Sequence, residues 1–120
     1  LLLIYNSLSG SGEGFNEIKS YLEYLLDIVG LPAIYSLSQN YPNPFNPNTE
    51  INFSLPRNSF VSMYIYNIKG ELIDNLITNT YYQTGYHRIK FDASNLSSGI
   101  YFYNIKTVNW EQTKKMMLVK

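Results

Sequence analysis

Cysteine is absent from this 120-residue sequence, which excludes disulfides and cysteine-ligated metal sites. Nine basic residues balance nine acidic ones, so no overall charge draws the chain to nucleic acid or to an anionic membrane. The apolar run Leu1–Tyr5 is far too short to span a bilayer and lacks the basic flank of a signal peptide. We therefore expect neither a membrane-spanning nor a nucleic-acid-binding chain.

Residues that catalyse reactions or bind metals are few and scattered. His87 is the only histidine, and no serine stands in the context of an activated nucleophile. Asp74 and Asp92 are isolated acids, so neither hydrolysis by paired carboxylates nor a metal site has support. The chain itself is predicted to be no enzyme and to use no cofactor and no small-molecule substrate. Any enzyme activity is expected of an upstream domain.

A proline-rich stretch, Tyr41–Glu50, organises the rest of the chain. It opens with three prolines at positions 42, 44 and 47, here called the proline hook (Tyr41–Pro47). Each proline fixes φ, lacks an N–H group and pushes the preceding residue out of the helical region. The hook is therefore predicted to be an ordered entry segment. A flexible linker is the alternative, and the aromatic rings of Tyr41 and Phe45 argue against it because they favour burial.

The sequence after the hook alternates with period two. Ile51, Phe53 and Leu55 are separated by polar residues, which predicts a strand with one buried face. Similar short runs follow at the spacing of an all-β sandwich, near residues 61–65, 71–77, 86–91, 100–105 and 113–120. The predicted shared core consists of Phe53, Ile65, Phe91, Tyr101 and Met116.

The first 34 residues have a different pattern. A Gly/Ser loop over residues 6–14 separates a predicted strand, Leu1–Tyr5, from a helix at about residues 15–29. The apolar stripe of this helix is predicted to comprise Phe15, Ile18, Leu22, Leu25, Leu26 and Val29. The loop matches a phosphate-binding loop only weakly, since it lacks the Lys-Ser/Thr pair. Because the sequence starts at Leu1 and the helix stands alone, we expect residues 1–34 to be the end of an upstream domain with a linker, and residues 35–120 to be a second domain.

Several motifs in one order resemble a known family, the type A C-terminal sorting domain of the type IX secretion system of Bacteroidetes-like bacteria. The resemblance covers about residues 36–120 and rests on Tyr41–Pro47, Leu55-Pro56, Val61–Gly70, Phe91-Asp92, Ser98–Tyr101 and Thr113–Met116. Phe91 departs from the family, which commonly has Trp before the Asp. The resemblance implies an Ig-like antiparallel β-sandwich of about seven strands, preceded by a short α-helical piece of an upstream domain.

The family resemblance also implies a function as an address. The domain would direct an exported passenger from the periplasm through an outer-membrane secretion translocon to the cell surface or the extracellular space. A surface sortase would then remove it. The alternative is a structural or carbohydrate-binding Ig-like module, similar to that of flagellar hook-capping proteins, which spaces or attaches the passenger.

Two recognition elements and a cleavage segment follow from this resemblance. The glycine-aromatic element contributes Gly99 and Tyr101. The basic final strand contributes Lys114, Lys115, Met116, Leu118 and Lys120. A terminal strand can also pair with a partner along its outer edge, although lysines there could serve only to discourage unwanted pairing. Cleavage is expected in the segment that joins the two patterns, which comprises Leu31, Pro32, Ala33, Ile34, Tyr35, Ser36, Leu37, Ser38, Gln39 and Asn40.

Overall fold

The structure, a computed structural model, describes residues 13–120, with side chains from Ile18 onward. Helix α1 spans Glu13–Ile28. It begins two residues earlier than the predicted helix, so the last two residues of the predicted loop belong to its first turn. The predicted strand Leu1–Tyr5 and the remainder of that loop lie outside the described residues.

Seven antiparallel strands follow the helix, as the family resemblance implies. They are β1 (Ser36–Leu37), β2 (Asn48–Leu55), β3 (Ser59–Asn67), β4 (Leu72–Tyr82), β5 (Gly85–Asp92), β6 (Gly99–Lys106) and β7 (Glu111–Leu118). One sheet has the order β1-β2-β5 and the other the order β4-β3-β6-β7. The chain changes sheet after β2, β4 and β5, which gives the predicted Ig-like sandwich. No helix occurs after α1 in the described chain.

The core lies between the two sheets and follows from the alternation. The inward side chains of β3 (Val61, Met63 and Ile65) are fully buried, while their neighbours are partly exposed. All five residues predicted to share the core belong to one buried cluster, namely Phe53, Ile65, Phe91, Tyr101 and Met116. The strand phases read from the sequence are therefore confirmed.

Helix α1 has its own small apolar cluster. Leu22 and Leu26 are buried, and Leu25, Leu31 and Ala33 pack against them. Ile18 and Val29, which the helical pattern also assigns to the apolar stripe, are largely exposed, so the buried stripe is narrower than predicted. At the end of the helix Gly30 has φ +79°, and the Leu31 N–H donates to the Leu26 carbonyl (2.9 Å). This is the helix termination expected of a C-terminal glycine.

Candidate recognition surface

Strands β6 and β7 bring four of the predicted recognition residues together. Gly99 pairs with Leu118, and Tyr101 pairs with Met116, so the two recognition elements lie side by side. Tyr101, Met116 and Leu118 are buried in the core. These three side chains hold the strands in register and do not themselves form an accessible surface.

Gly99 and Tyr101 have distinct local roles. Gly99 opens β6 with φ +155°, a conformation that other residues rarely adopt, although a Cβ atom there would meet no neighbour. The Tyr101 hydroxyl donates a hydrogen bond to the Ser97 carbonyl (2.7 Å), which closes the loop that leads into the strand. The glycine-aromatic element thus sets the conformation of the chain where β6 begins.

The three predicted lysines point in different directions. Lys114 lies on the same face of β7 as Met116 and is partly buried, whereas Lys115 lies on the opposite face and is exposed. The Lys120 ammonium group donates to the Ser94 carbonyl (2.6 Å) in the loop after β5. Alternation along a strand sends neighbouring side chains to opposite faces. The lysines therefore do not form one continuous basic patch.

The loop that Lys120 contacts begins at Asp92. The Asp92 carboxylate accepts hydrogen bonds from both the hydroxyl and the backbone N–H of Ser94. These bonds lower the pKa of Asp92 below its ordinary value, and the charge of Lys120 adds to the effect. The Ala93 N–H donates to the Pro47 carbonyl (2.9 Å), so this loop also fastens the end of the proline hook.

The proline hook covers part of the outer edge of β7. Phe45 pairs with Leu118 in parallel: the Phe45 N–H donates to the Met117 carbonyl and the Val119 N–H donates to the Phe45 carbonyl, both at 3.0 Å. The Met117 N–H donates to the Asn43 side-chain oxygen (3.0 Å). The Gln39 side-chain amide donates to the Lys115 carbonyl (2.7 Å). The terminal strand predicted to be an open edge is thus already occupied from Lys115 to Val119.

Of the two hook aromatics, only one is buried. Phe45 is 2% exposed and packs against Phe91, with ring centroids 6.2 Å apart. Tyr41 is 80% exposed, so the expectation that its ring would be buried is wrong. Its backbone pairs with Glu50 in both directions, which directs the side chain outward from the sheet.

A buried polar network orders the hook, and sequence reasoning did not identify it. The Asn40 side-chain amide donates to the Thr49 hydroxyl (3.0 Å) and to the Pro42 carbonyl (3.1 Å). Thr49 also donates to the Pro42 carbonyl (2.9 Å). The Asn40 N–H donates to the hydroxyl of Tyr103 (2.9 Å). The only signal in the sequence was that two small polar residues, Asn40 and Thr49, flank the prolines.

The predicted cleavage segment divides into two parts. Its second half lies within the sandwich: Ser36 and Leu37 form β1, which pairs with β2, and Asn40 is buried. In the first half, Leu31 and Ala33 pack on the helix, Ile34 is exposed, and Tyr35 stacks on Trp110 with ring centroids 5.2 Å apart. The backbone of the segment is therefore bonded to the sandwich mainly from Ser36 onward; before Ser36, the Ile34 carbonyl accepts a hydrogen bond from the Ser54 hydroxyl (3.1 Å).

The side chain of His87, the only histidine, packs against aromatic rings. Its ring lies against Tyr82 and Phe53, and its Nε2 atom is 2.7 Å from the Gln83 carbonyl oxygen. From Ile18 onward, where side chains are described, no group of His, Asp and Glu side chains could hold a metal ion. None of the helical structure within residues 13–120 has both the length and the apolar character needed to cross a membrane.

Comparison with known protein families adds to this geometry. The model of the secretion system C-terminal sorting domain matches residues 39–120, which include the hook, the polar network and both recognition strands. The chain belongs to this family. A comparison with curated proteins finds none that matches.

Membership gives the sorting domain its general function. It is a C-terminal signal for type IX secretion, and it implies interaction with that machinery and export to the cell surface or the extracellular space. The family is non-catalytic, so the sorting domain is not itself an enzyme. The sandwich therefore serves as the scaffold of a signal that another protein recognises.

Proposed function

We propose that residues 35–120 form the sorting domain and that residues 1–34 are the end of the passenger and its linker. The domain carries the passenger from the periplasm through the outer-membrane translocon. A surface sortase then separates the two. The specific partners are thus the translocon and the sortase, and the passenger supplies any enzyme activity.

The observation that carries this proposal is the pairing of β6 with β7. The glycine-aromatic element and the basic final strand lie on the consecutive strands β6 and β7, whose antiparallel pairing places Gly99 opposite Leu118 and Tyr101 opposite Met116. A partner that recognises both elements therefore meets one surface. Lys115 and Met117 are the exposed side chains of β7 next to this pairing, so they are the contacts we assign to the partner.

We further propose that the sortase cuts between Leu31 and Tyr35, the first part of the predicted segment Leu31–Asn40. A protease needs an accessible, extended backbone. Pairing of Ser36 and Leu37 with β2 withdraws the later residues, whereas the Ile34 side chain is exposed. Cleavage at this site would leave the whole sandwich intact after release.

The test uses the full 120-residue chain fused behind a reporter with a signal peptide, expressed in cells that have the type IX machinery. We expect the reporter at the cell surface without the sandwich. A matched fusion lacking residues 35–120 is expected to remain in the periplasm. Equal delivery of both fusions would refute the sorting proposal. Surface delivery with the sandwich still attached would instead favour a domain that spaces or attaches the passenger.

A further inference from the structure

The hydrogen bonding between the proline hook and β7 is short and irregular. The hook makes three hydrogen bonds to the strand edge, one of them through the Asn43 side chain, and the side chain of Gln39, just before the hook, makes a fourth. Only Phe45 contributes backbone pairing, as a single isolated bridge to Leu118. A true strand along the same edge would form a continuous ladder of backbone bonds. The hook therefore covers the edge without using its full pairing capacity.

Within the described chain, the outer edge of β7 has unpaired backbone groups at Thr113, next to the part of the strand that the hook covers. Backbone groups of Lys115, Met117 and Val119 point to the outer edge, as their bonds to the hook show. By the same alternation, Thr113 presents its N–H and carbonyl groups outward, and no residue in the range 13–120 binds them. An incoming strand has free backbone groups here with which to begin pairing.

The other edges of the sandwich differ from that of β7. Strand β1 has only two residues. Strand β5 pairs with β2 as regularly as β7 pairs with β6, and like β7 it carries basic side chains, here Arg88 and Lys90. Strand β4 is long, but its register with β3 shifts at three places, which twists and interrupts its edge. Strand β7 is regular over its eight residues against β6. In addition, its outer edge already pairs with a backbone segment, at Phe45, which distinguishes it from β5.

We propose that the outer edge of β7 is the docking edge for an extended segment of a partner protein, which replaces the hook. The segment pairs first with Thr113–Lys115 and then extends to Val119 as the hook leaves. This inference rests on the proposed sorting function and identifies how the partner binds. We expect the partner strand to carry an apolar residue, which fills the buried site that Phe45 leaves, and an acidic residue, which pairs with Lys115.

A disulfide between the hook and β7 tests whether the hook must be displaced from the strand edge. The chain has no cysteine, so the double variant Asn43→Cys/Met117→Cys introduces a single possible disulfide between hook and edge. In the reporter fusion, we expect the disulfide-bonded form to accumulate in the periplasm, with surface delivery reduced at least about tenfold. The Met117→Cys variant, which has the same change at an assigned partner contact but no disulfide, is the reference for this comparison, and Asn43→Cys should be delivered like the unmodified fusion. Intact-mass analysis reports the disulfide, and thermal unfolding reports the fold.

The outcomes separate this inference from the proposed function. Normal surface delivery of a fusion that still contains the disulfide would overturn hook displacement and leave the sorting function intact. Failure of the unmodified fusion to reach the surface would instead refute the sorting function.

A second measurement does not depend on the disulfide. The variant Asn43→Ala removes one side-chain bond, and Asn46→Ala, at an exposed asparagine in the same hook, is its matched control. If the hook opens as a unit, Asn43→Ala should speed amide exchange at Phe45 and Val119 by about threefold to tenfold, as expected for one hydrogen bond. The amide of Tyr103 in β6 should be unchanged. Faster exchange confined to Met117 would show that the hook does not leave as a unit and would overturn the proposal.

Discussion

Tyr103 binds the backbone of Asn40 across 63 residues of sequence: its hydroxyl oxygen lies 2.9 Å from the Asn40 nitrogen and accepts the N–H hydrogen bond. The same hydroxyl donates to the Ser38 carbonyl (2.7 Å). Both Tyr103 and Asn40 are buried. One side chain from the middle of β6 thus satisfies two backbone groups of the segment that leads into the proline hook.

Replacing Tyr103 with phenylalanine should destabilise the sandwich. The ring stays in place, but the buried N–H of Asn40 loses its partner, which we expect to cost about 1–3 kcal/mol. Urea unfolding measures the change in the free energy of unfolding. Tyr64→Phe, at a half-buried residue of β3, is the control and should change it by less than about 0.5 kcal/mol. Equal effects of the two variants would show that the hydroxyl bonds of Tyr103 contribute nothing.

The same residue predicts a dependence of stability on alkaline pH. Burial raises the pKa of Tyr103 from its ordinary value of 10.0 to about 12. Below pH 10 the group is protonated in both states. Between pH 10 and 12 the unfolded chain loses the proton and the folded chain keeps it, so stability falls as the pH rises. Urea midpoints measured over this range should fall more steeply for the unmodified chain than for Tyr103→Phe; parallel curves would contradict the assignment.

Phe91→Ala should severely destabilise the domain. The ring is 3% exposed and packs against Phe45, so its removal leaves a cavity that costs about 3–5 kcal/mol. That is a large part of the total stability of about 5–10 kcal/mol expected for a small sandwich. Phe60→Ala, at a ring that is 54% exposed, is the control and should cost far less. Thermal unfolding of both variants measures the difference, and an unchanged midpoint for Phe91→Ala would contradict the core assignment.

Charge removal should separate recognition from folding. Replacing Lys114, Lys115 and Lys120 with glutamine should lower stability by at most about 1 kcal/mol each, because the side chains are exposed or only partly buried. Delivery of the reporter fusion should nevertheless fall, since the partner loses its charged contact, Lys115. The triple variant of Lys69, Lys90 and Lys106, with the same change in net charge on other parts of the surface, should be delivered normally. Normal delivery of the first variant, once it is shown to be folded, would exclude the lysines from recognition.

The position of the cut can be read directly from the passenger that reaches the surface. We expect its C-terminus to lie between Leu31 and Tyr35, because the chain beyond is paired with β2. Intact-mass analysis of the surface-released protein gives this end to the residue. A passenger that ends after Asn40, or that retains Lys120, would contradict the proposed cleavage.

Some features of the fold followed from local pattern. Alternation with period two predicted the strands from β2 to β7 and the inward set that includes Phe53 and Met116. The two-residue strand β1 was missed, because Ser36 and Leu37 are too few to show a period. Apolar spacing overestimated the buried stripe of helix α1, since burial depends on what packs there, and Ile18 and Val29 lie outside the small cluster.

Strands β2 to β7, their buried faces, the rigid hook and the family were predictable from the sequence, because alternation, proline geometry and motif order are local properties of the chain. The opposite faces of Lys114 and Lys115 follow from the same alternation. The contacts between polar groups depend on the fold: the bond from Asn40 to Tyr103, the pairing of Phe45 with β7 and the exposure of Tyr41 follow from the order and register of strands distant in sequence. Backbone edges carry no side-chain pattern, so their partners are set by packing.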